Sequence, residues 1–263
     1  MIIYNKELQK ICLIDIEYYK KISGKYKLGG KNGKGREYLM NTNILIFEGE
    51  YLKGIKNGKG KEYYKNGELI FEGEYLNGKR WNEKGKEYKY NDELKFEGEY
   101  LNGKKWNGKM KDYYNNGKLL LEGEILNGKK KKGKFYNKYG GLKLELDYLN
   151  GKGKEYTYNG RLIFEGKYLN GKRNGKGKEY DYGRLIFEGE YLNGERDGKG
   201  KEYEYDGALK FEGEYLNGKR HGKGKEYDFN GKLRFEGEYI NGDRKGEGKE
   251  YHSNGKLLFE GVF

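Results

Sequence analysis

The side chains able to attack a substrate are few and scattered: Cys12, Ser23, Thr42, Thr157 and Ser253, with His221 and His252 the two histidines available to activate them. Nucleophilic catalysis needs a base within hydrogen-bond reach of the nucleophile and a third group orienting that base. Ser253 adjoins His252, but in a turn-like "HSNG", where neighbours in sequence point apart. The 42 acidic residues recur at fixed intervals, whereas acid–base catalysis requires a unique pair in a pocket with separated pKa values. No Gly-Lys-Ser/Thr phosphate loop occurs, and the "GKGKEY" runs lack the helix start that such a loop feeds. The lone cysteine and the two histidines are too far apart in sequence to suggest a metal site. No catalytic residue, metal or cofactor is expected, and the chain does not read as an enzyme.

What recurs instead is a pentapeptide. FEGEY stands at 47–51, 71–75, 96–100, 187–191, 211–215 and 235–239, and altered copies between them set unit starts at Ile22, Phe47, Phe71, Phe96, Leu121, Leu144, Phe164, Phe187, Phe211, Phe235 and Phe259, spaced by 20 to 25 residues. Periods of this length mean stacked repeats, each burying its apolar face only against its neighbours. Phe47, Gly49 and Tyr51 alternate with Glu48 and Glu50, as in a strand. A second alternating run ends at Tyr63, and "KNGE" then offers Asn66-Gly67, a type I′ hairpin signal. Each unit is therefore a β-hairpin, and the fold class expected is all-β: an elongated single-layer antiparallel meander of about twenty strands.

Pairing Tyr51 with Gly58 across the longer loop, and Lys65 with Glu68 across the Asn-Gly turn, sorts the side chains. Lys61 falls between Glu48 and Glu72, and Lys59 between Glu50 and Glu74, so one face carries opposite charges in rows. On the other face Gly49, Gly60 and Gly73 form a line over which aromatic rings lie. Glu62 then falls between Phe47 and Phe71, unless a bulge or slip exchanges it with Tyr63.

Laid out this way, the pattern resembles the MORN repeat, aromatic-x-Gly-x-aromatic followed by Gly and Gly-x-Gly, as in "FEGEYLNGERDGKG" (187–200) and "FEGEYLNGKRHGKG" (211–224). "YYKNGELIFEGEY" (63–75) resembles the longer bacterial-type variant. The resemblance covers about 22–263 and implies an elongated twisted sheet in a non-catalytic protein that scaffolds partners or associates with membranes. Residues 1–21 are then an N-terminal cap, 22–258 the array and 259–263 a capping strand. The stretch 121–150 is irregular, a bend, kink or hinge: "LEGEILNGKKKKGKFY" loses its Gly-x-Gly, and "LELDYLNGKGKEY" has Leu146 in a glycine slot and a shortened loop.

Charged residues are 37% of the chain, proline is absent, and the net charge is +13. If the Glu and Lys of the sheet cancel, the excess lies in the longer loops, at Lys79-Arg80, Lys104-Lys105, Lys172-Arg173, Lys219-Arg220 and the Lys129, Lys130, Lys131, Lys132 run. Such a basic edge would meet acidic phospholipids or an acidic protein. Nucleic acid is the poorer match, because the tyrosines are committed to packing and interleaved acids oppose phosphates. Trp81 and Trp106, in loops with one inserted residue each, either fold back on the sheet or pair as an exposed partner-binding patch. Val262 and Phe263 end either a closing strand or an apolar edge through which two copies pair as a homodimer. With one cysteine and neither a signal peptide nor a membrane span at the start, a cytoplasmic location, peripheral to membrane or cytoskeleton, is expected. Function is thus expected to be protein–protein scaffolding, with phospholipid binding the alternative.

Overall fold

A computed structural model describes residues 24–29, 31–81 and 84–263. The N-terminal cap expected over 1–21, with Cys12 and the 14–18 segment, lies outside the described residues. The rest forms twenty-two strands with antiparallel pairing between chain neighbours, an all-β meander of hairpins. Two compact units result, one running up to Tyr113 with Leu121–Lys131, the other Tyr114–Leu120 with Lys132–Phe263.

One hairpin shows how the sequence dictates the fold. The strand Leu209–Leu216 pairs with Lys219–Tyr227, glycine opposite glycine (Gly213 and Gly224) and lysine opposite glutamate (Lys225 and Glu212). Between them Asn217 and Gly218 have φ of 49° and 82°, so the hairpin closes on a two-residue left-handed turn, which glycine and asparagine tolerate. The same turn recurs as Asn77-Gly78, Asn102-Gly103, Asn193-Gly194 and Asn241-Gly242. Its glycine N–H also donates to the preceding unit, Gly218 to Arg196 O at 2.9 Å and Gly242 to Arg220 O at 2.9 Å, fastening unit to unit.

The aromatic core follows from the glycines. Phe187 is fully buried, and a Cβ on Gly189 or Gly200 would lie 2.7 or 2.5 Å from its Cζ, so the ring occupies space that only glycine leaves. Phe47, Phe71, Phe164, Phe187 and Phe211 each meet the tyrosine of their own unit and that of the next edge-on: Phe187 lies 5.8 Å from Tyr191 and 5.2 Å from Tyr215. In the second unit this ladder runs through Phe164, Phe187, Phe211 and Phe235 to Phe263, and in the first through Phe47, Phe71 and Phe96. Each such edge-to-face pair contributes about 0.5–1.5 kcal/mol beyond area burial.

Three expectations are corrected. Tyr51 pairs with Lys56, not Gly58, and Leu52 with Ile55, so the supposed longer loop is a tight turn at Lys53-Gly54 followed by a bulge. The Asn66-Gly67 turn is not type I′: Tyr64 N–H donates to Glu68 O at 2.8 Å across three residues, and only Gly67 of the pair is left-handed, at φ 90°. In the Trp106 unit, Gly98 faces Gly108 and Phe96 faces Met110, two positions away from the repeat's register. Met110 stands where the repeat puts its second glycine and has no room beneath Phe96; a slip seats Gly108 there instead.

Leu146 reverses the pattern in another way. Phenylalanine becomes Leu144 and glycine becomes the buried Leu146, which faces Gly153, so bulk moves from the first position of the unit to the third.

Candidate functional site

Glu62 does sit between Phe47 and Phe71, in register with both. It stays there because the second cation of each "KR" pair reaches it. Arg80 contacts Glu62 at 2.6 Å and lies 4.2 Å above Phe71. In the second unit Arg220 joins Glu202 (2.5 Å) to Glu226 (3.1 Å) with its guanidinium 4.1 Å over Phe211, and Arg173, Arg196 and Arg244 repeat the arrangement. Core tyrosines complete it: Tyr191 OH donates to Glu179 at 2.8 Å and Tyr215 OH to Glu202 at 2.7 Å. Burial alone would raise the Glu202 carboxyl, but hydrogen bonds from Arg220 and Tyr215 and the Arg220 charge hold it below the ordinary carboxylate range. Glu62, Glu155, Glu179 and Glu226 are lowered in the same way.

On the opposite face Lys61 pairs with Glu48 and Glu72 in register, and its ammonium lies 3.3 Å from Glu72. The tyrosine after each "KE" closes its own hairpin: Tyr203 OH donates to Glu188 at 2.6 Å and Tyr227 OH to Glu212 at 2.7 Å. An open trough of about 1170 Å³ crosses this face of the first unit, floored by Gly49, Gly60 and Gly73 between the Lys and Glu rows. Among the described residues no group of three His, Cys, Asp or Glu is placed to hold a metal ion, and no helix is long and apolar enough to cross a membrane.

The candidate cations therefore divide. Arg80, Lys105, Arg173 and Arg220 are half-buried in internal ion pairs, Lys105 with Glu87 at 3.1 Å. They lie on strands, not in loops. Lys79, Lys104, Lys129, Lys172 and Lys219 are exposed beside the Asn-Gly turns, as are Lys130 and Lys132, while half-buried Lys131 pairs with Glu124 at 3.1 Å. In the second unit that edge alternates in sign, with Glu195 and Asp243 at the positions of Lys172 and Lys219. Trp81 and Trp106 are half-buried; Trp106 lies against the Gly128 turn, where a Cβ would meet its ring at 3.4 Å. Phe263 packs 5.0 Å from both Phe235 and Phe259, whereas Val262 is exposed.

The opposite edge of the second unit carries a feature that the pattern of FEGEY does not disclose. Tyr139, Tyr158, Tyr182, Tyr205 and Phe229 stand at the tips of consecutive turns, all exposed. Their signal was present in "YTYNG", "YDYGR", "YEYDG" and "YDFNG", where a second aromatic follows the packing tyrosine by two.

Hairpins repeated in tandem, with an internal ladder and turn tips pointing outward, define a β-repeat protein. The MORN repeat matches residues 47–68, 164–182, 187–208 and 211–232, and the MORN repeat variant matches 106–127 and 244–263. The chain carries MORN repeats of both kinds, which are consistent with a repeat scaffold or adaptor. No curated protein matches the sequence. Among solved structures, the TCP10 domain of Danio rerio CPAP, solved with a peptide of STIL, is similar over 91% of this chain and 99% of its own at 9% identity and a TM-score of 0.38. S. aureus TarM (12% identity, 53% of this chain, 23% of its own, TM-score 0.20) and the Photorhabdus luminescens Tc holotoxin pore (10%, 87%, 17%, 0.23) are also similar.

Proposed function

We propose that this chain is a non-catalytic scaffold that binds protein partners through the turn edge of its second unit. The supporting observation is the row of exposed aromatic tips from Tyr139 to Phe229, on a molecule whose repeated FEGEY rings are spent on its own core. Tyrosine beside arginine is the composition that dominates protein–protein contact energy, and Arg161 lies 5.0 Å from the Tyr182 ring. Binding of acidic phospholipids has less support, since Arg80, Lys105, Arg173 and Arg220 are paired internally.

A comparison of the native chain with a Tyr158→Ser, Tyr182→Ser, Phe229→Ser variant tests the reading. The native chain is expected to retain partner proteins from a lysate at raised ionic strength, and the variant to lose them. Flotation of both with phosphatidylserine vesicles at low salt, and no protein captured in a tip-dependent way, would reject it in favour of the lipid surface.

A further inference from the structure

We infer that the second unit pairs with a second copy of itself through its charged face beside the Asn-Gly turns, the two copies running in opposite directions about a two-fold axis. This goes beyond the scaffold reading and does not depend on it. The chain departs from its own repeat at two positions on that face. Lys167 stands where Glu190, Glu214 and Glu238 stand in the following hairpins, and Glu247 stands where they have Lys199 and Lys223. Each exchange brings like charges together inside the chain. Lys167 pairs directly with Lys152, whereas the same position elsewhere joins Lys199 to Glu214 and Lys223 to Glu238. Glu247 enters the bulge opposite Glu238 and pairs with Val262. Like charges directly opposite on a sheet are destabilising, so neither exchange serves the isolated fold.

Together they polarise the span from Leu162 to Tyr251. At its start Lys152, Lys167, Lys172 and Lys176 outnumber Asp147 and Glu190, and Asp147 is held by its own turn, accepting from Asn150 Nδ2 at 2.9 Å. At its end Glu238, Asp243 and Glu247 outnumber Lys223 and Lys245. Among the described residues those four lysines and three carboxylates are exposed and form no ion pair within the chain. The residue after each Asn-Gly turn carries the alternation across: Lys172, Glu195, Lys219, Asp243.

A two-fold axis that lays the first hairpin on the fourth and the second on the third sets Lys172 against Asp243, Lys167 against Glu247 and Glu195 against Lys219. Parallel copies would set every charge against itself. Sliding by one hairpin would set Lys172 against Lys219 and Glu195 against Glu195. Charge order thus selects one orientation and one register, as an isologous contact requires. Spacing alone selects neither: the first unit has the same spacing but reads Lys79, Lys104 and Lys129 at these positions, so its row repels a copy of itself. Apolar contact comes from Leu169, Leu192, Leu216 and Ile240, which are 59, 50, 44 and 43% exposed and pair across their turns with Lys172, Glu195, Lys219 and Asp243. The row spans three hairpin steps, about 29 Å. So narrow a strip belongs with weak interfaces, and dissociation in the micromolar range is expected.

Sedimentation equilibrium of the full chain from about 1 to about 300 μM tests the pairing. The native chain is expected to form a reversible dimer that weakens as salt rises. Lys167→Glu and Glu247→Lys each restore the repeat, so each should melt at or above the native temperature by circular dichroism, yet self-associate at least about tenfold more weakly. Mixing the two variants pairs Glu with Lys at both contacts, and the mixture should recover the native dimer. Leu192→Ser with Leu216→Ser should weaken it as well. A native chain monomeric throughout, variants that dimerise as well as the native chain, or a mixture no tighter than its components would each overturn the inference. Tip variants that lose lysate partners but still dimerise would leave both this pairing and the scaffold reading in place.

Discussion

Phe187 and its equivalents set the tightest constraint at the level of single residues, since each ring needs two glycines beneath it on paired strands. Not all glycines of the repeat serve that purpose. A Cβ on Gly200 would lie 2.5 Å from Phe187 Cζ, whereas one on Gly207, at φ +91° in the turn, would meet nothing within 4 Å. Gly200→Ala is therefore expected to displace the ring and cost about 1–3 kcal/mol by overpacking. Gly207→Asn replaces a left-handed residue with one that tolerates that conformation and should stay within about 0.5 kcal/mol of native. Urea unfolding of the two variants checks the contrast; equal losses would mean that the glycine line is not what admits the rings.

Hairpins combine these residues into two hydrogen-bonded rows, in each of which the carboxylates are held below and the tyrosines above their ordinary range. The glutamates among the rings titrate below the usual carboxylate range in the folded state, so their contribution is present above the unfolded carboxylate pKa and is lost as pH falls through the folded value. On the charged face, burial and the facing carboxylates push Tyr156, Tyr180, Tyr203 and Tyr227 up to about 12 from the ordinary 10.0. Those groups stabilise the fold fully below about pH 10 and progressively less as pH rises through about 12. Thermal melts are expected to plateau from neutral pH to about 10 and to fall on both sides; Tyr203→Phe with Tyr227→Phe should flatten the alkaline fall, and an unchanged alkaline limb would refute the assignment. The hairpins themselves were legible from period-two alternation, as was the pairing of Lys61 with Glu48 and Glu72. What misled was asparagine-glycine, a signal shared by both turns of a unit: its conformation depends on how many residues the flanking strands leave over, which the dipeptide does not encode. The fate of Glu62 was also hidden, because its partner Arg80 belongs to the following unit and reaches it only after stacking. Similarly, counting residues puts an insertion beside Trp106, while the steric demand of Phe96 moves the register instead.

For the molecule as a chain of repeats, stability is expected to be a sum of hairpin terms and nearest-neighbour terms, with no residue needed at long range. The second unit allows a sharp test, because removing residues 187–210 joins Ile186 to Phe211 and restores the same "RLIFEGEY" reading. After that deletion Glu179 would meet Arg220 in place of Arg196, and Tyr215 would take the position of Tyr191 against Phe164, so the core ion pair and ring contact are each replaced by one of their own kind. The shortened protein should fold cooperatively, with a denaturant m-value reduced in proportion to the surface removed. Removing only 199–210 takes half of the strand Glu195–Tyr203, the turn and the first two residues of the next strand, and in the repeat's register sets Glu212 opposite Gly189 and Glu214 opposite Phe187 with no lysine facing Glu188; it should fail to fold or aggregate through its unmatched edge. Circular dichroism and light scattering distinguish the two outcomes. A half-unit deletion as stable as the whole-unit deletion would show that the hairpin is not the element that repeats.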